Sequence, residues 1–98
     1  MSEFDDRMAA LRERFGARCA ERGEQLAAAL ADGDREAVVR IAHDLAGSAG
    51  MFGCPELSRA AQRLEEAARA VDLPGDELKD CAESVLQAVR ARAKNGIV

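Results

Sequence analysis

The chain has 98 residues and a net charge of −4, from 14 Lys and Arg against 18 Asp and Glu. That is the length of one domain around a single core, so two independent domains are excluded. Ala contributes 21 residues, the aromatic residues are Phe4, Phe15 and Phe52, and Trp and Tyr are absent, which argues against an all-β fold. An apolar share of 48% is too high for a disordered chain, and a charged share of 33% leaves no apolar run of membrane-spanning length.

The acidic balance and dispersed basic residues also argue against nucleic acid as a partner. The opening MSEFDDRM lacks the basic and apolar regions of a secretory signal, so a cytoplasmic protein with no membrane attachment is expected, and the initial Met close before the first helix favours a free-standing chain over a piece of a longer one. Cys19, Cys54 and Cys81 form an odd set without a CxxC spacing, expected to be reduced and mainly buried thiols. The excess of Ala, with 12 Arg against 2 Lys, points to a GC-rich bacterial genome.

Apolar residues recur at helical spacing in four segments. In the first, Phe4, Met8, Leu11, Phe15, Cys19, Leu26 and Leu30 run to about Ala31. Gly16 and Gly23 interrupt it, so it reads as one long helix or as a short extra N-terminal helix followed by another. Gly33 breaks the pattern and Asp34 is the expected N-cap of a second helix, with Val38, Ile41, Ala42, Leu45, Ala49 and Phe52 on its apolar face and Gly53 just past its end. Pro55 suits the first turn of a third helix, carrying Leu57, Ala60, Ala61, Leu64, Ala68 and Val71. Leu73, Pro74 and Gly75 read as a turn. The fourth helix, about residues 76–94, carries Leu78, Ala82, Val85, Leu86 and Val89, and Asn95 with Gly96 ends it. Met8 and Met51 are assigned to the core. Short connections favour antiparallel neighbours, so the expected architecture is an all-α, up-down four-helix bundle spanning residues 1–98.

The second helix carries the chemistry. With Val38 at 0° and about 100° per residue, its apolar positions fall within about 40° of zero, and His43, the sole histidine, falls near 140°. Ala46, Gly47 and Gly50 share that side, so an exposed imidazole stands among residues with almost no side chain. Two interior glycines cost a helix about 2 kcal/mol relative to alanine, and the flat surface they leave suits close approach by a partner.

The plain alternative is a solvated surface histidine. A metal site is not expected, because no Cys, Asp or Glu stands three or four residues from His43. A hydrolytic triad lacks its orienting acid, since those positions hold Val39, Arg40, Ala46 and Gly47. The stretch AGSAG around Ser48 is helical and so is no nucleophile elbow, and the spacing of Gly47, Gly50 and Gly53 lacks the strand and Lys of a phosphate loop. What remains is chemistry that needs only an imidazole. An exposed imidazole is largely uncharged at pH 7 and is a ready nucleophile for an activated phosphoryl group.

The run Ile41-Ala42-His43-Asp44-Leu45-Ala46-Gly47-Ser48-Ala49-Gly50-Met51-Phe52-Gly53, followed by Pro55-Glu56-Leu57 and Leu64-Glu65, resembles the histidine-containing phosphotransfer (HPt) domain of two-component relays, over about residues 33–69. The resemblance implies that His43 takes a phosphoryl group, at Nε2, from the aspartyl phosphate of a receiver domain and passes it to another receiver. It further implies docking of response-regulator or hybrid-kinase receivers on the second and third helices, around Val39, Ala46, Gly47 and Gly50. No cofactor of its own and no metal is expected, Mg²⁺ being held by the receiver, and one active histidine makes a monomer the expected state. One position departs from the family pattern. Ala46 stands where Lys or Arg is usual, and Arg40 is the candidate replacement, with Arg59, Arg63 and Arg69 of the third helix as further candidates. The departure keeps open a non-catalytic adaptor that binds or sequesters a receiver. Glu65 and Glu66 read as a solvated face, with Arg69 as an ion-pair partner.

Overall fold

A computed structural model describes residues 3–70 and 75–94, with side chains through residue 91. Four helices follow one another: α1, Glu3–Asp32; α2, Arg35–Met51; α3, Pro55–Arg69; and α4, Gly75–Lys94. No strand occurs among the described residues. Each helix packs on its chain neighbour and α1 also packs on α4, closing the expected up-down bundle. The predicted Leu73–Gly75 turn falls partly outside the described residues, Gly75 opening α4. Val71, Asn95 and Gly96 also fall outside them.

The boundaries are set by local chemistry. Gly33 and Gly53 both adopt φ of +71°, the left-handed conformation that closes a helix. At each, two amides fold back onto the last turn: Gly33 N to Leu30 O and Asp34 N to Ala29 O, then Gly53 N to Gly50 O and Cys54 N to Ala49 O. The Asp34 carboxylate accepts from Ala37 N at the start of α2, and Pro55 opens α3 where a missing amide costs nothing.

The core holds Phe15, Cys19, Leu26, Val38, Ile41, Leu45, Leu57, Leu64, Val85 and Val89, with Ala42, Ala49, Ala61 and Ala82 where backbones approach. Phe15 stacks on Phe52 at 4.7 Å between ring centroids. Cys19 is buried, Cys54 and Cys81 are partly buried, and none of the three is in a disulfide.

Two cross-links fix α3 against α2. Buried Ser58 donates its hydroxyl to Ala46 O at 3.0 Å, and Arg35 Nη1 donates to Ala70 O at 2.8 Å and Ala68 O at 3.3 Å at the far end of α3. The second contact places a cation on the unpaired carbonyls of a helix C-terminus.

The first segment is one helix, continuous through Gly16 and Gly23. A methyl at Gly23 would meet Leu86 and Val89 of α4 at 3.7 Å, so this glycine lies at the α1–α4 contact. The predicted core face of α1 needs correction in its N-terminal part. Phe4 is 69% and Leu11 40% exposed, Met8 is only partly buried, and Met51 at the end of α2 is 81% exposed. The reason is a mismatch of lengths. The Phe15–Phe52 stack brings α2 to its end beside Phe15, and the Gly23 contact brings the antiparallel α4 to its end at a similar level. Residues 3–14 therefore project about 18 Å beyond the described ends of α2 and α4, and the molecule is 52 Å long and 18 Å wide.

Candidate functional site

The apolar stripe of α2 turns inward, which leaves His43 on the outer flank with a side chain 72% exposed. Across the α2–α3 groove stands Glu65, only 17% exposed in its side chain. His43 Nδ1 lies 3.2 Å from Glu65 Oε2 and 3.3 Å from Oε1. Arg69, one turn further along α3, donates to the same Oε2 from Nη2 at 2.8 Å and from Nε at 3.2 Å.

Charge settles which imidazole nitrogen carries the proton. The guanidinium of Arg69 holds the Glu65 carboxyl below its ordinary value; partial burial opposes this, and His43 adds to the lowering. The group is a carboxylate at neutral pH and can only accept, so His43 Nδ1 donates. In the neutral ring Nε2 then keeps its lone pair and faces solvent. Glu65 thus selects the tautomer that makes the outer nitrogen the nucleophile.

Surrounding positions divide into two kinds. Gly47 and Gly50 are exposed, while Ala46 and Val39 are partly buried against the edge of the core. A methyl at Gly47 would meet nothing within 4 Å, and one at Gly50 would be in ordinary contact with Ser58 Oγ at 3.6 Å. Packing therefore demands glycine at neither position, and both leave a low surface beside the imidazole. Asp44 points away from His43 and pairs with Arg22 of α1 at 3.2 Å.

Of the candidate cations, Arg40 and Arg69 line one open groove together with His43. Arg59 and Arg63 lie elsewhere, in a groove with Ser84 and Gln87 of α4, and do not line the one that holds His43. Among the described residues, no three His, Cys, Asp or Glu side chains cluster so as to hold a metal ion, and no helix is long and apolar enough to cross a membrane.

The Hpt-domain family model matches residues 10–93, most of the chain and the whole of the site. The chain belongs to the Hpt family. A role in phosphotransfer within phosphorelays comes with that membership, as does a class of partners, since Hpt domains act with receiver domains and histidine kinases. No curated protein and no solved structure matches this Hpt domain closely enough to add a named relative.

Sequence reasoning placed His43 on the exposed face and paired Glu65 with Arg69, but it gave Glu65 no part in the site. The available signal was Leu64-Glu65 at the end of the quoted motif: Leu64 is fully buried, and its neighbour is carried to the α2 side of α3.

Proposed function

We propose that this Hpt domain is a phosphorelay intermediate in which His43 accepts a phosphoryl group from the aspartyl phosphate of one receiver domain and returns it to the aspartate of another. The observation that carries this reading is the outward-facing Nε2 of an imidazole whose Nδ1 proton is held by Glu65. In the forward step the Nε2 lone pair forms the N–P bond while the acyl O–P bond breaks, and the electron pair leaves with the receiver carboxylate. The ring becomes a phosphoimidazolium that keeps its Nδ1 proton, and Glu65 stabilises the positive charge. In the return step a second receiver carboxylate attacks phosphorus and His43 Nε2 leaves as neutral imidazole.

Arg69 and Arg40 supply the charge that Ala46 does not. Both line the groove beside His43, and Arg69 is anchored by Glu65, within reach of phosphoryl oxygens at the ring. The receiver docks over Gly47 and Gly50, with Val39 and Ala46 at the margin, and brings its own Mg²⁺, so the domain uses no cofactor of its own.

Ala46 favours one second reading, an adaptor that binds a receiver without taking phosphate. Incubation with a phosphorylated receiver separates the two. Acid-labile label on the wild type and none on His43→Gln is expected. Tight receiver binding with no label on either protein overturns the relay and leaves the adaptor.

A further inference from the structure

Among the described residues, the large exposed apolar side chains Phe4, Leu11 and Met51 all lie at one end of the molecule. On the wheel of α1, Phe4, Met8 and Leu11 point within about 40° of Phe15, so they continue the core-facing stripe past the level where α2 ends. Their face looks onto the space a neighbouring helix would fill if it ran further, and Met51 borders that space.

We infer that this overhang is a self-association surface on which α1 of a second copy lies antiparallel. With the two-fold axis near Ala9 and Ala10, Phe4 of each copy reaches the level of Phe15 and Met51 of the other, and Met8 faces Leu11. Each overhang then fills the space beyond the other's bundle.

The shape of the molecule selects this direction, because each bundle lies on the same face of α1 as the stripe, and the flanking charges report on it. Asp5 and Arg12 border one side of the stripe, at about 80° and 60° from Phe15, while Arg7, Arg14 and Arg18 border the other, with Glu3 further round at about 120°; Asp6 and Glu13 point away. An antiparallel pair brings Asp5 to Arg12 and Glu3 to Arg14 or Arg18 of the second copy, twice each by symmetry. Arg7 meets Arg14 of the second copy and opposes the pairing. A parallel pair would face opposite flanks, setting Arg12 against Arg14 of the second copy, and would drive the two bundles into the same space. The contact spans only about three turns of helix on each copy, well under the roughly 800 Å² per partner of a standard interface, so the dimer is weak and concentration-dependent. A monomer was expected only because one active histidine needs no second copy for its chemistry, a ground that does not bear on this face.

Sedimentation of the full chain over a wide concentration series tests the inference. A reversible monomer–dimer equilibrium is expected, with the constant weakened at least tenfold by Phe4→Glu while circular dichroism is unchanged; Phe4 is too exposed for the fold to need it. Asp5→Arg should weaken association, and adding Arg12→Asp should restore it. A wild type that stays monomeric throughout overturns the proposal, as does a dimer indifferent to Phe4→Glu. A dimer weakened by Phe4→Glu but not rescued by the charge swap overturns the antiparallel arrangement.

Discussion

The flank of α2 around His43 and the overhang of α1 are both exposed helical surfaces, yet they are built from opposite residues. Around His43 the side chains on the docking side are cut back to Ala46, Gly47 and Gly50, and the imidazole itself is polar and held by Glu65. Along the overhang the exposed positions include Phe4 and Leu11, bordered by Met51. A surface stripped of side chains gains little from burial but admits another backbone closely, which suits a brief encounter around one atom. Large apolar groups gain from losing water wherever a partner covers them. Transfer and association should therefore be separable by mutation.

The largest effect below outright loss of His43 is expected at Glu65. Glu65→Gln keeps the shape but lets an amide N–H donate to Nδ1, which moves the ring proton to Nε2 and occupies the nucleophile. Transfer should slow by about tenfold to a hundredfold, measured by rapid quench with a phosphorylated receiver. The same variant has a stability signature. Because the Glu65 carboxyl is lowered in the folded state, the unfolded chain binds more protons across the carboxylate range. The stabilisation is complete above about pH 4.3 and is lost as pH falls through the depressed folded value. Thermal melts of the wild type should fall more steeply over that acid range than those of Glu65→Gln. Parallel curves would remove the ion pair from the account.

Next in size is Gly50→Gln. It should cut transfer by about tenfold by obstructing docking, leaving helicity and sedimentation unchanged, since the space beside Ser58 accepts a side chain. Undiminished transfer would erase the contrast between the two surfaces. Phe4→Glu sharpens it from the other side, with transfer from a phosphorylated receiver equal to wild type. The smallest change expected at the site itself is at position 46. Ala46→Lys should lengthen the lifetime of phosphohistidine by only a few-fold, because an exposed cation is screened and Arg69 is already nearby. A lifetime extended a hundredfold would show that Arg69 and Arg40 do not serve that role.

What was legible in the sequence was what is decided locally. Asp34, Gly33, Gly53 and Pro55 act on groups within a few positions along the chain, so the ends of α1 and α2 and the start of α3 followed from residue type. His43 was legible because its outward direction is a property of one helix. Phe4, Leu11 and Met51 were placed wrongly because periodicity reports which face of a helix is apolar and says nothing of how far its neighbours extend. Glu65 escaped because its partner is 22 positions away, across a turn whose geometry decides whether the two meet.

The two cross-links between α2 and α3 bear on the barrier to reaction. Ser58 ties α3 to Ala46 near its start, and Arg35 holds its last carbonyls, with Glu65 on the stretch between. The carboxylate is thus carried by a segment clamped at both ends. When a phosphoryl group arrives and the ring gains charge, the answering negative charge is already in position, and little reorganisation is left to add to the activation free energy.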